Sequence, residues 1–366
     1  MTALGRTGGD DGVMECIDVR TGVEYKVIVG RGILEQAGSL AADLLKTRRV
    51  LVWADDVVGP LYLERVASSF QGAGFWVETG IFPAGEGWKR LPTVEGMLER
   101  ADLCGMTRAD AFIALGGGVT GDMVGLAAAL YLRGIDFIQI PTTLLAMVDA
   151  SVGGKTAVNL ESGKNLCGAF HQPRMVICDP EVLKTLPEAI LAEGMAEVIK
   201  HGAICSPALL DRIQAGADPG DLVADNIRIK SGIVSRDERE HGERKLLNFG
   251  HTFGHAIEKL SGFSIFHGEG VAVGMMIAAL AAERHGICTP GVYRELREML
   301  VKANLPVTTK FTAAEIAENA MNDKKRAGDT LTLVLPAERG RCMLYPVGAG
   351  ELKEWIACCD GEVTGV

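Results

Sequence analysis

The chain has 366 residues, a formal net charge of −10, 48% hydrophobic and 5% aromatic residues, and 46 glycines. That length and apolar content suit a compact α/β enzyme of two or more domains and exclude a disordered or fibrous chain. The acidic balance argues against bulk binding to nucleic acid or an anionic membrane, so basic residues that hold an anionic substrate must act locally.

Residues 1–12 are rich in Gly and Asp and read as a loose extension, with no signal-peptide pattern. From there to about residue 180, β-rich runs alternate with helical stretches: VEYKVIVG, RRVLVWADD, FWVETGIFP, DAFIALGGG and FIQIPTT. Such alternation predicts a largely parallel sheet covered by helices. After about Leu186 helical periodicity continues to residue 321, with breaks at Pro207, Pro219, Gly262, Pro290 and Pro306. The apolar run from Val271 to Ala282 is too short to span a bilayer and reads as a buried helix. A β-rich pair, TLTLVLP and CMLYPV, and a last helix follow. The predicted fold is α/β: a Rossmann-like parallel-sheet domain at 13–183 and a mainly α-helical domain at 184–366. The nine cysteines are unpatterned, with no C-x-x-C pair, which suggests reduced thiols in a cytosol.

Two stretches of the first half carry binding chemistry. In LGGGVTGD, Gly116, Gly118 and Gly121 fit G-x-G-x-x-G between a strand and a helix, where glycines admit a pyrophosphate to a helix N-terminus. The bland alternative is a tight turn that needs glycine. The next strand lacks an acidic end for a ribose, but VWADD offers Asp55. SVGGKT resembles a P-loop but has Asp149 where that pattern needs Gly. Lys155 can still meet a phosphate as a point charge. Asp149, Lys155, Lys164 and Asn165 form a polar stretch that composition alone does not separate from a surface loop.

The second half holds the richest constellation: Glu197, Lys200 and His201, then Arg244, Asn248, His251 and His255, then His267. Residues three or four apart share a helix face, which groups Glu197 with Lys200 and His201, Arg244 with Asn248, and Asn248 with His251. Two imidazoles and a carboxylate can hold a zinc with an open position, and by spacing His251 and His255 are the obvious pair. No H-E-x-x-H is present, which removes the metalloprotease reading. A Glu197–Lys200 surface pair is the competing reading.

The runs GGGVTGD, RGIDFIQIPTTLLAMVDASVGGKTAVN, GKNLCGAFHQP, GMAEVIKHG, DEREHGERKLLNFGHTFGHAIE and HGEGVAVGM together resemble the 3-dehydroquinate synthases. The resemblance implies NAD, a divalent metal (zinc, with cobalt as substitute) and the substrate 3-deoxy-arabino-heptulosonate 7-phosphate. It implies transient oxidation by NAD, phosphate elimination, re-reduction, ring opening and aldol closure. Its metal ligands fall on Glu197, His251 and His267, with His255 moved to the substrate side. NAD contacts fall on Asp55, Glu86, Lys89, Gly118, Val119, Thr120, Gly121, Asp122, Thr142, Thr143, Lys155, Lys164, Val182, Leu183, Lys184 and Thr185. The substrate pocket takes Asp149, Lys155, Asn165, Lys200, Lys230, Arg244, Asn248 and His255, with Lys324 or Lys325 at the phosphate. Arg133 corresponds to an arginine that reaches the neighbouring subunit's phosphate, which implies a homodimer. Met147, Ala150 and His171 depart from the usual pattern. The rival readings are a related sugar-phosphate cyclase, a metal- and NAD-dependent alcohol or glycerol dehydrogenase, and a nucleotide-binding regulatory module.

Overall fold

A computed structural model describes residues 14–324 and 330–366, apart from the side chains at 322–324. The predicted N-terminal extension and Lys325 lie outside the described residues, as does the side chain of Lys324, the other predicted phosphate lysine. The chain forms two compact units. One runs to Leu186 and takes in Lys230–Ser235; the other comprises Pro187–Ile229 and Arg236–Val366.

The first unit runs β1 (Glu15–Val19), β2 (Tyr25–Val29), α1 (Ala37–Ala42), β3 (Arg49–Asp55), α2 (Gly59–Gly72), β4 (Trp76–Phe82), α3 (Leu91–Leu103), β5 (Ala111–Gly116), α4 (Gly118–Leu130), β6 (Asp136–Pro141), β7 (Lys155–Leu160), β8 (Gly163–Phe170) and β9 (Met175–Cys178). Seven strands form one sheet in the order β1-β2-β9-β6-β5-β3-β4, parallel except for β1 against β2. The central strands β5 and β9 are buried throughout, and β3 and β6 beyond their first residue. Burial on both faces explains why they read as near-continuous apolar runs. In register, Ala54 faces Leu115 and Gly116 faces Pro141. Asp55, the turn at Gly116–Gly118 and Thr142 therefore sit at the carboxyl ends of neighbouring strands, where open α/β sheets bind ligands.

The polar stretch from Gly153 to Gly168 is largely a β-hairpin, which its composition concealed. In β7, Thr156 and Val158 are buried while Lys155 and Leu160 are exposed. That period of two turns one face towards α4, against which β7 packs. Residues 15–19 and 175–178 are two further strands whose shortness left no clear signal.

The second unit contains α5 (Glu188–Cys205), α6 (Pro207–Gln214), the start of α7 (Val223–Arg236), α8 (His251–Leu260), α9 (His267–Arg284), α10 (Val292–Lys302), α11 (Ala313–Lys324), the hairpin β10 (Thr330–Glu338) and β11 (Arg341–Gly348), and α12 (Leu352–Ile356). Pro207 opens α6, and Pro219, Pro290 and Pro306 fall between the named α-helices, so each marks a break as the sequence predicts. Every residue from Val271 to Ala282 in α9 is buried. Among the described residues no helix is long and apolar enough to cross a membrane.

Glycines set the crossing of α8 and α9. A Cβ at Gly274 would lie 2.0 Å from the carbonyl oxygen of Gly250, and one at Gly254 would lie 2.8 Å from that of Gly270. The two backbones thus approach to a separation that no side chain permits. This close crossing brings the histidines at the start of each helix together.

Candidate functional site

In the first unit, α4 begins at Gly118 directly after β5. Side chains are excluded at the glycine that ends β5 and at one within α4: a Cβ at Gly116 would meet Thr120 Oγ1 at 2.4 Å, and one at Gly121 would meet Gln139 Oε1 at 2.6 Å. The helix N-terminus, with Val119 and Thr120 in its first turn, presents backbone N–H groups suited to a phosphate. Asp55 is 9% exposed and holds this region together. Its carboxylate accepts from the N–H groups of Val57 (3.0 Å) and Val58 (2.8 Å) and from Thr120 Oγ1 (3.2 Å). The Thr142 N–H donates to Gly116 O at 2.9 Å, and Thr143 Oγ1 accepts from the Ala146 N–H at 3.1 Å.

A second group ties the 85–89 loop to the β7–β8 hairpin. Lys89 Nζ, buried, donates to Asp122 Oδ2 and Asn165 Oδ1, each at 2.5 Å. Burial raises the Asp122 pKa, against the opposing charge and hydrogen bond of Lys89. Asn159, which sequence reasoning missed, donates from Nδ2 to Glu86 Oε1 (2.7 Å) and accepts at Oδ1 from the Asn165 N–H (2.8 Å). Its only prior signal was a place in the TAVN run. Lys230, on α7, pairs with Asp149 Oδ1 at 2.7 Å. Lys155 opens β7 and is exposed; Lys164 lies half-buried on β8. The run from Val182 to Thr185 forms a 3₁₀ turn over Pro180–Thr185, with Val182 buried and Lys184 paired with Glu181. Tyr62 Oη anchors this turn through Thr185 Oγ1 at 2.5 Å. Leu183 and Lys184 lie between those two anchored residues. Arg133 is exposed in a loop where Leu132, Arg133 and Gly134 take φ of 49°, 71° and 118°.

In the second unit, α5 carries Glu197, Lys200 and His201, all at most 1% exposed. The surface-pair reading of Glu197 is therefore wrong for this residue. Its two carboxylate oxygens are buried and accept no hydrogen bond. Lys200 is in ion-pair contact with Oε2 but outside hydrogen-bonding geometry. His251 Nε2 lies 3.7 Å and His267 Nε2 3.9 Å from Oε1. Donor atoms of Glu197, His251 and His267 all lie within 4.8 Å of one another.

The far side of each ring is tied. His251 Nδ1 is 3.2 Å from Phe249 O, and His267 Nδ1 is 2.9 Å from Glu258 Oε1. A proton on each Nδ1 leaves both Nε2 lone pairs facing the carboxylate, as a metal site requires. Burial pushes the His251 pKa well below the usual imidazole value, aided by the Lys200 charge. Burial also opposes protonation of His267, but its hydrogen bond to Glu258 and the charges of Glu258 and Glu197 outweigh it and raise the pKa.

His255, Glu258 and His267 form a second close set. There Glu258 Oε1 is already engaged by His267 and His255 is exposed, so Glu197 Oε1, which both Nε2 atoms face, marks the better fit. The pair favoured by spacing, His251 and His255, is thus displaced by His251 and His267, whose rings are 5.1 Å apart. Glu258 was also missed by sequence reasoning. Its place one turn beyond His255 was the available signal.

The predicted shared face of Asn248 and His251 does not form. Gly250, with φ of 80°, separates a 3₁₀ turn at Glu243–Asn248 from α8. Arg244 in that turn is 2% exposed and donates to Glu238 O. Asn248 Nδ2 donates to Glu240 Oε1 at 2.5 Å. His201 Nδ1 lies 3.0 Å from Asn226 Oδ1 within the core.

Sequence profiles described as 3-dehydroquinate synthase N-terminal and C-terminal match residues 79–193 and 194–326. The chain is 46% identical over 340 residues to a 3-dehydroquinate synthase of Laribacter hongkongensis, covering 89% of this chain and 93% of that one. It is 42% identical to that of a Picosynechococcus species, covering 90% and 95%. Among solved structures, a 2-deoxy-scyllo-inosose synthase complexed with carbaglucose-6-phosphate, NAD+ and Co2+ superposes with a TM-score of 0.83 at 30% identity, over 94% of this chain and 99% of that one. The 2-epi-5-epi-valiolone synthase of Streptomyces hygroscopicus, with NAD+ and Zn2+ bound, gives 0.82 at 28%, over 93% and 98%. A probable glycerol dehydrogenase of Sinorhizobium meliloti, at 16% identity and 0.62, shares the fold alone. Matched along most of its length by these synthases, the chain belongs to the 3-dehydroquinate synthase family.

Proposed function

We propose that this chain converts 3-deoxy-arabino-heptulosonate 7-phosphate to 3-dehydroquinate and phosphate, as a carbon–oxygen lyase dependent on NAD and a divalent metal. The observation that carries the metal requirement is the buried Glu197 carboxylate, without hydrogen bonds and faced by His251 Nε2 and His267 Nε2. Lys200 pairs with Oε2, which leaves Oε1 facing the two Nε2 atoms, where a divalent cation would complete the buried carboxylate. Glu197, His251 and His267 would hold that metal, zinc by its nitrogen and oxygen donors and cobalt as a substitute.

NAD when bound supplies a transient hydride acceptor, and the metal a Lewis acid. Asp55, Glu86, Lys89, Gly118 to Asp122, Thr142, Thr143, Lys155, Lys164 and Val182 to Thr185 are proposed to hold the dinucleotide, in a domain spanning 13–183. The domain at 184–366 is proposed to carry the metal. Lys155, Lys230 and Arg244 supply positive charge for the carboxylate and phosphate of the substrate. Asp149, Asn165 and Asn248 fix its hydroxyls, so binding energy orients a flexible sugar. His255 and Lys200 move protons beside the metal. Arg133 is proposed to reach the partner's phosphate in a homodimer, and the enzyme to work in the cytosol.

The test is phosphate release with NAD far below substrate, with absorbance monitored for NADH. Many phosphates per NAD, no lasting NADH and dehydroquinate as product are expected. Steady NADH from a simple alcohol without phosphate would move the chain to the dehydrogenases; another carbocycle as product would move it to the related cyclases.

A further inference from the structure

We propose that Glu258 is a positioning residue of the metal centre, which fixes the ring and tautomer of His267. The inference rests on the metal-site reading above. Glu258 is 1% exposed, and its Oε1 lies 2.9 Å from His267 Nδ1. A buried carboxylate at that distance takes the Nδ1 proton as its hydrogen-bond donor and leaves Nε2 bare on the side of Glu197.

The helix crossing makes the contact available. His267 is the first residue of α9, where a side chain has little helix before it to fix its rotamer. Glu258 reaches it from α8 across Gly270, at which a Cβ would lie 3.1 Å from Glu258 Cγ. The two histidines are therefore oriented by unlike groups: His251 by a backbone carbonyl at 3.2 Å, His267 by a buried carboxylate. Only the second can be altered by substitution of a side chain, and a carboxylate partner strengthens the imidazole as a ligand.

The experiment uses the full-length chain, stripped of metal, with Co2+ titrated in competition with a chelator. The 15N shifts of His267 are recorded on the metal-free protein at a pH high enough to leave the ring neutral. Glu258→Leu is expected to weaken Co2+ binding about 10- to 100-fold, and to shift His267 from a single tautomer towards a mixture. Glu258→Gln, which keeps an acceptor but loses the charge, should fall between that variant and the wild type. A purely structural role would lower the melting temperature of the metal-free protein and leave Co2+ affinity within about twofold of the wild type, and that result overturns the proposal. Should the leucine variant fail to fold, the glutamine variant decides by the same twofold criterion. Glu197→Ala separates the two readings. If it binds Co2+ like the wild type, the metal assignment fails and Glu258 loses its role with it. If it loses Co2+ while the Glu258 variants keep it, only the Glu258 proposal fails.

Discussion

Asn159 uses both ends of its amide, one on Glu86 and one on the backbone of Asn165. Neither partner would lose its charge or its own side chain if Asn159 were removed, but both would lose their orientation. Asn159→Ala is expected to weaken NAD binding roughly five- to tenfold, about the worth of one hydrogen bond. A rise in KM for the sugar phosphate should accompany it; fluorescence titration of NAD and steady-state kinetics check the two. Unchanged NAD affinity would mean that Glu86 is held well enough by other contacts. Asn159 and Glu258 were both illegible for the same physical reason. Their importance lies in what they touch, and Glu258 meets His267 only through a helix crossing that no single-helix pattern describes. The proposed ligands were legible as a cluster but not as a set. Periodicity within α8 favoured His255, whereas the arrangement depends on His267 at the start of the next helix.

In the α8–α9 pair, glycines with no chemistry of their own position the residues that have it. Its glycines are the reason that residues 251 and 267 lie close enough to act together. Gly274→Ala places a methyl against the Gly250 carbonyl and must push the helices apart. An overpacking penalty of about 1–3 kcal/mol is expected, with weaker Co2+ binding although no ligand is changed. Thermal unfolding with chelator competition checks both; full metal affinity in the variant would show that the crossing can widen without moving the histidines. At this scale the sequence was clear where one face dominated, as in the apolar run of α9. It misled where polar residues filled a strand, as in β7, and where a left-handed glycine broke an apparent helix, as at Gly250.

Across the whole molecule the α/β class was readable because the central strands are buried on both faces and write themselves as apolar runs. The boundary between the compact units was less so, since Lys230–Ser235 belongs with residues far earlier in the chain, a tertiary fact with no local pattern. The free cysteines sample both units and give a probe of global opening. Burial raises the thiol pKa of Cys178, Cys342 and Cys359, so below those values less thiolate exists than at an ordinary thiol. The thiolate is the reactive form. In native protein a disulfide reagent should modify the exposed Cys16 and Cys205 first, Cys205 more slowly because burial raises its thiol pKa. Raising the pH from about 7 to about 9 should add no labelling at those three, which react only as the fold opens. Mass spectrometry of labelled peptides checks this, and early modification of Cys342 would reveal local opening near β11.

The loop at Leu132 and Arg133 has a consequence for anyone rewriting this chain. Two residues with side chains stand in left-handed backbone where glycine would rest without strain, each costing the fold about 1 kcal/mol or more. An algorithm that optimises melting temperature alone would choose glycine at both positions and report an improvement. Only Arg133 carries a charge there, so a redesigned chain that melts higher but turns over more slowly would locate the fault in that choice. The strain is thus a place where the inverse problem, from backbone to sequence, gives a different answer from the one that natural selection kept.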